Sequence, residues 1–215
     1  MTQYQSPFHV VQARTAGEAW CKQMSLVMEQ GVEVPDGDQV LREVLNVLCL
    51  VDSPAEVDPV VQQFGDPAMI DMMRRNFLQT EPLEQFGYSY GQRMQDFDGV
   101  DQLERVVTTL QKNPHCKSAT VALTWPGHDD RHHPCINVLD FKLRGGRLQL
   151  ASFFRSQDVG TKLYADAIAL GELLQRVAGR VGCPAGGLVV LCASSHIYRD
   201  NEARVRQILA ANPQG

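Results

Sequence analysis

The segment that most constrains this chain is a strand, turn and strand near its middle. Residues 136–143 and 148–154 are short apolar-rich runs, and between them Gly145-Gly146 accepts the backbone a tight hairpin turn requires. The flanking sequence supplies helices to cover them. Residues 15–30 read as a helix with Thr15 as cap, Glu18 three residues later, Trp20, Met24, Val27 and Met28 on one face, and Gly31 as the stop. Residues 68–77 and 101–112 read as further helices, the second closed by Asn113-Pro114, and Ile168, Leu170, Leu173, Leu174 and Val177 mark a long one after the hairpin. Residues 119–124 and 188–192 read as strands, 201–211 as a last helix, and the apolar run 40–50 fits either state. Helices and strands do not strictly alternate, so the expected fold is α+β: a mixed or antiparallel sheet covered by helices.

At 215 residues the chain is expected to form one domain over 1–215, with 44% hydrophobic and 21% charged residues, as in a soluble globular protein. The longest apolar run, 44–51, is too short to span a bilayer, and the amino terminus lacks a basic start followed by an apolar stretch, so the cytoplasm is the expected location. A reducing compartment makes the scattered Cys21, Cys49, Cys116, Cys135, Cys183 and Cys192 free thiols rather than disulfides. The net charge of −5 argues against broad nucleic-acid binding, although a few arginines can still hold one phosphate.

The densest polar cluster runs from His128 to Cys135. Its spacing does not suit zinc, whose sites pair two ligands across a short turn and draw the others from a distant element; a solvated loop and no metal is the expectation. Cys135 differs, because it follows Pro134 at the boundary between loop and strand, where a thiol is either packed or reactive. Arg155-Ser156-Gln157-Asp158 ends the hairpin and gathers a guanidinium, a hydroxyl and a carboxylate at one mouth of the sheet. Arg155 is the residue least suited to a solvated surface, and His196-Ile197-Tyr198 follows the end of another strand.

In this order, Tyr90-Gly91-Gln92-Arg93, Asp101-Gln102-Leu103, Asn113-Pro114 leading to Trp125-Pro126, Pro134-Cys135, Arg155-Ser156-x-Asp158 and His196-Ile197-Tyr198 resemble the thymidylate synthase superfamily, and most of all its compact archaeal-type members. The resemblance implies a homodimer with sheets packed back to back, a pyrimidine nucleoside monophosphate as substrate and 5,10-methylene-tetrahydrofolate as one-carbon co-substrate. It puts Cys135 at the nucleophile that adds to carbon 6 of the base, which is covalent catalysis. Arg155 and Ser156 fall on phosphate contacts, His196 and Tyr198 on ribose-hydroxyl contacts, and Asp158 on a pterin contact. Tyr90 falls on a tyrosine that serves proton removal from carbon 5, and Glu43 on the glutamate that orders water.

Eleven residues after Arg155, where thymidylate synthases carry an asparagine, stands Asp166. Read alone, it fits an exposed carboxylate near a helix start. Read with the motif, it accepts from the amino group of cytosine where an asparagine would pair with uracil. The same substitution marks the cytidylate 5-hydroxymethylases of the superfamily, in which water completes the reaction and tetrahydrofolate is released. Hydroxymethylation of CMP or dCMP is therefore the expected function, with thymidylate-type methylation of dUMP or a non-catalytic nucleotide-binding protein as alternatives. Lys117-Ser118 stands where the family pairs two arginines on the partner subunit's phosphate. Lys162 replaces a glycine near the folate, Ile136 a polar residue and Asn46 an aromatic, and no carboxy-terminal lid sequence is recognisable.

Overall fold

The computed structural model describes residues 8–127, 129 and 132–212. Its strands are β1 (His9–Thr15), β2 (Val32–Asp36), β3 (Gln39–Ser53), β4 (Thr120–Ala122), β5 (Ile136–Arg144), β6 (Arg147–Phe154), β7 (Gln157–Asp158) and β8 (Ala185–Tyr198). Its helices are α1 (Ala16–Gln30), α2 (Pro59–Phe64), α3 (Pro67–Leu78), α4 (Tyr90–Gln95), α5 (Gln102–Lys112), α6 (Leu163–Val181) and α7 (Glu202–Ala211). The mixed sheet runs β1-β3-β8-β6-β5-β4, with β2 paired to β3 and β7 to β8. This is the α+β arrangement of an open sheet flanked by helices.

The hairpin of β5 and β6 forms with its turn at Gly145 and Gly146, both at positive φ. β6 lies parallel to β8, and β8 antiparallel to β3, so the long strands β3 and β8 form the middle of the sheet. The ambiguous run 40–50 is thus a strand, its side chains alternating between buried Val47, Cys49 and Val51 and less buried neighbours. Thr15 caps α1 by accepting from the Glu18 amide at 3.3 Å, and Trp20, Met24 and Val27 are fully buried beneath it. α6 is apolar almost all round and buried along most of its length, as a helix wrapped by α1, α3, α5 and the sheet must be. Gly182 ends it at φ 85°.

The end of β8 differs from expectation. β8 does not stop near Cys192 but continues to Tyr198, so His196 and Tyr198 lie within the strand, paired with β3, rather than after its end. The polar Ser194 and Ser195 hide the strand in the sequence; their hydroxyls are spent on Glu43 and, at 3.1 Å, on Gln23 of α1. β1, β2 and the short α4 carry too few periodic residues to be read, and β2 contains Pro35, which only an edge strand tolerates.

The face of the sheet turned from the helices carries a straight apolar row. Val10, Leu48, Leu191, Phe153 and Val138 are successive register partners across β1, β3, β8, β6 and β5, and Val10 and Leu191 are 51% and 42% exposed. Among the described residues no helix is long and apolar enough to cross a membrane.

Candidate active site

A cleft of about 600 Å³ opens where β7, the start of α6 and the ends of β3, β6 and β8 meet. Every candidate residue read from the sequence lines it except Lys117, which is exposed on the loop ahead of β4. A volume of this size suits a small-molecule ligand.

Cys135 is half-buried on one wall, fixed by its place at the head of β5. Its carbonyl accepts from the Arg155 amide at 2.8 Å, and its own amide donates to the Tyr90 hydroxyl at 3.2 Å. The Ser156 hydroxyl donates to Sγ of Cys135 at 3.8 Å and accepts from Nη1 of Arg155 at 3.1 Å. A guanidinium, a hydroxyl and a thiol thus form one chain of contacts at the mouth of the hairpin.

Arg155 is exposed, contrary to the expectation of a residue withdrawn from solvent. It is nonetheless fixed, because Nε donates to the Pro134 carbonyl at 3.0 Å and Nη2 to the His133 carbonyl at 2.8 Å. The loop before Cys135 orients the guanidinium at the rim and leaves N–H donors for an anion.

Tyr90 is 8% exposed, and its hydroxyl accepts from the amides of Cys135 and Ile136. Burial pushes its phenol well above the ordinary value, so it is neutral at physiological pH. Gly91 beside it is required by space: a Cβ there would stand 1.9 Å from the Gln79 carbonyl oxygen.

Asp166 lies in the first turn of α6 and is only 8% exposed, so it is not the solvated helix carboxylate that its sequence position alone suggests. Burial pushes its carboxyl up to about 7, and the amide of Gln157, donating from Nε2 at 3.3 Å, opposes that rise. On the other side of the cleft the Tyr198 hydroxyl donates to Asp36 at 2.8 Å, and burial, with Asp36 beside it, pushes the phenol up to about 12. His196 is 8% exposed, and burial lowers its imidazole; Nδ1 is buried without a hydrogen-bond partner among the described residues. Glu43 faces it in register and accepts from Ser194. Asp158 accepts from the Thr161 amide at 3.2 Å and from its hydroxyl, and Lys162 lines the same end.

The loop 128–135 is not simply solvated. The Asp129 carboxylate is 3% exposed and ion-pairs with Arg93, whose guanidinium also lies 3.8 Å from the Tyr88 ring centroid. Burial raises the Asp129 carboxyl, but Arg93 and the Trp125 amide outweigh it and hold the carboxyl below its ordinary value. His128, Asp130 and Arg131 of that cluster lie outside the described residues. Among the described residues no group of three or more His, Cys, Asp or Glu is placed to hold a metal.

Gln157, Ser194 and Asp36 are among the polar lining residues given no role by the sequence. Gln157 was hidden as the variable position of its motif, Ser194 inside an unrecognised strand, and Asp36 in the turn Asp36-Gly37-Asp38.

Residues 62–215 match the family model described as "Thymidylate synthase". The "Putative thymidylate synthase" of Methanosarcina barkeri is 30% identical over 206 residues, covering 93% of this chain and 94% of that one. The chain belongs to the thymidylate synthase family. The protein of the same name from Methanopyrus kandleri is 29% identical over 198 residues, covering 89% and 94%. The "Thymidylate synthase" of Mycoplasma pneumoniae is 24% identical over 147 residues, 67% of this chain and 51% of that one. Cys135, Arg155, Ser156, Asp166, His196 and Tyr198 all lie in the matched stretch of this thymidylate synthase family chain, while Glu43 and Asp36 precede it.

Proposed function

We propose that this protein is a one-carbon transferase that hydroxymethylates carbon 5 of a cytidine monophosphate, CMP or dCMP. The observation that carries this reading is the buried Asp166 carboxyl, held by Gln157 in the same cleft as Cys135. Cytosine presents an acceptor at ring nitrogen 3 and a donor at its amino group. A neutral carboxyl answers both, giving a proton to the first and accepting from the second.

Cys135 adds to carbon 6 and makes carbon 5 nucleophilic, with Ser156 stabilising the thiolate. Arg155 holds the phosphate, joined by Ser156 once sulfur is bonded to carbon 6 and no longer takes the hydroxyl's one hydrogen, and His196 and Tyr198 hold the ribose. Tyr90 moves the carbon 5 proton, and Glu43 with Ser194 positions water. Asp158, in the same cleft, offers an acceptor to the pterin donors of a reduced folate. The folate supplies an electrophilic carbon unit when bound.

The apolar row on the open face of the sheet supports a homodimer with sheets packed against each other, since such a contiguous patch marks an interface. Lys117, outside its own chain's cleft, then serves as a phosphate contact in the partner's.

One observation favours methylation of dUMP as second reading. A carboxyl lying near 7 is partly neutral at physiological pH, and a neutral acid can also donate to oxygen 4 of uracil and accept from its ring N–H. Calorimetric titration with CMP, dCMP and dUMP separates the two. Cytidylate is expected to bind at least tenfold tighter; tighter binding of dUMP overturns the cytidylate reading.

A further inference from the structure

Gln157 is 5% exposed and has two faces of different status. Its Nε2 donates to Oδ2 of Asp166 at 3.3 Å, whereas its Oε1 is buried and has no hydrogen-bond partner among the described residues. A buried acceptor left unpaired is destabilising, so the residue is not there for packing alone. Its backbone is fixed by the pairing of β7 with Ser195 of β8. A half turn about the last bond of its side chain exchanges donor and acceptor at nearly the same place.

We propose that Gln157 is the positioning residue that lets Asp166 exchange a proton with ring nitrogen 3 of the base, accepting from the acid before the base binds and donating to the carboxylate once its proton has gone to nitrogen 3. The inference rests on the cytidylate reading above and adds a residue to it. When the Cys135 thiolate forms its bond to carbon 6, the carbon 5–carbon 6 π pair becomes a carbon 4–carbon 5 π bond. The carbon 4–nitrogen 3 π pair moves onto nitrogen 3, which takes the proton from Asp166 and leaves a carboxylate. Expulsion of the thiolate at the end of the cycle reverses the transfer and returns the proton. Without Gln157 that carboxylate would lose its side-chain donor among the described residues.

The groups facing Asp166 are consistent with a site tuned for this exchange. Lys162 on its own helix favours the carboxylate and Asp158 on β7 disfavours it. Tyr90 on α4 and Cys192 on β8 are held neutral by burial, and Cys135 lines the same wall. Gln157 is the side chain that hydrogen-bonds the carboxyl directly.

The test is the pH dependence of CMP and dCMP binding, read by calorimetry from pH 5.5 to 9, together with enzyme-dependent exchange of tritium from carbon 5 without folate. In the wild type, affinity is expected to be flat at low pH and to fall about tenfold per pH unit above about 7, where Asp166 must regain a proton to bind. Gln157→Met is expected to move that break upward, because the carboxylate has lost a donor, and to slow tritium exchange at least tenfold while binding at pH 6 changes less than threefold. Gln157→Glu, which as a neutral acid both donates and accepts, is expected to restore exchange below pH 6 and lose it above pH 8; it also serves if the Met variant does not fold. A break and an exchange rate unchanged in both variants overturn the inference alone. A wild type that prefers uridylate overturns the cytidylate reading and this inference together.

Discussion

Ser156 and Cys135 stand at opposite ends of one hairpin, and the serine hydroxyl donates to the cysteine sulfur at 3.8 Å while accepting from Arg155. Because β5 begins at the residue after Cys135 and β6 ends just before Arg155, the antiparallel register brings the two together with Ile136 opposite Phe154. Removing this donor with Ser156→Ala is expected to slow alkylation of Cys135 by iodoacetamide at pH 7.5 about fivefold, the effect of one hydrogen bond of about 1 kcal/mol. An unchanged alkylation rate would show that the contact does not support the thiolate.

Asp166 carries a stability cost that depends on pH. Its carboxyl lies at about 7 in the folded protein against 3.8 for the ordinary group, and burial is the main cause. The folded state therefore holds the proton more tightly than the unfolded one, and stability is lost as pH rises from about 4 to about 7. Asp166→Asn is expected to be more stable than wild type at pH 8, by about 2–4 kcal/mol, and to show little gain at pH 4. Urea unfolding at the two pH values measures this; an equal effect at both would contradict it. The same variant is expected to shift base preference toward uridylate by one to two orders of magnitude.

The pair of Arg93 and Asp129 holds the loop that carries Cys135 against α4. Both are nearly buried, and Arg93 also donates to the Leu123 carbonyl. Asp129→Ala leaves an uncompensated buried guanidinium and is expected to cost about 3–5 kcal/mol in denaturant unfolding. A cost below about 1 kcal/mol would mean that the guanidinium finds water or another acceptor.

The sequence made some of this legible and not the rest, for physical reasons. Helices α1, α3, α5 and α6 are long enough for a periodic apolar face, and Thr15 and Asp101 each accept from the amide three residues on. The second half of β8 is not legible that way, because Ser194, Ser195 and His196 are polar residues whose partners lie far away in sequence. Arg155 misleads for a related reason: exposed at the rim, it is ordered by backbone carbonyls rather than by burial. Motif order located Cys135, Arg155 and Asp166, whereas the contacts of Gln157 with Asp166 and Asp36 with Tyr198 exist only once the chain is folded.

The open face of the sheet gives a test of assembly. Leu191→Glu puts a charge in the middle of the apolar row and is expected to convert a dimer to monomer in sedimentation velocity. Mixing inactive Cys135→Ala with impaired Lys117→Ala protein is expected to recover activity, since one site in each mixed dimer then has both residues. No recovery from a confirmed mixed dimer would remove Lys117 from the partner's site.

The most direct measurement of the central claim is product analysis by mass spectrometry after incubation of CMP and dCMP with methylene-tetrahydrofolate, alongside absorbance at the dihydrofolate band. The reading centred on Cys135 and Asp166 requires a 5-hydroxymethylated cytidylate, no dihydrofolate, and loss of product in Cys135→Ala. A methylated uridylate with stoichiometric dihydrofolate from dUMP, and no product from either cytidylate, would contradict it.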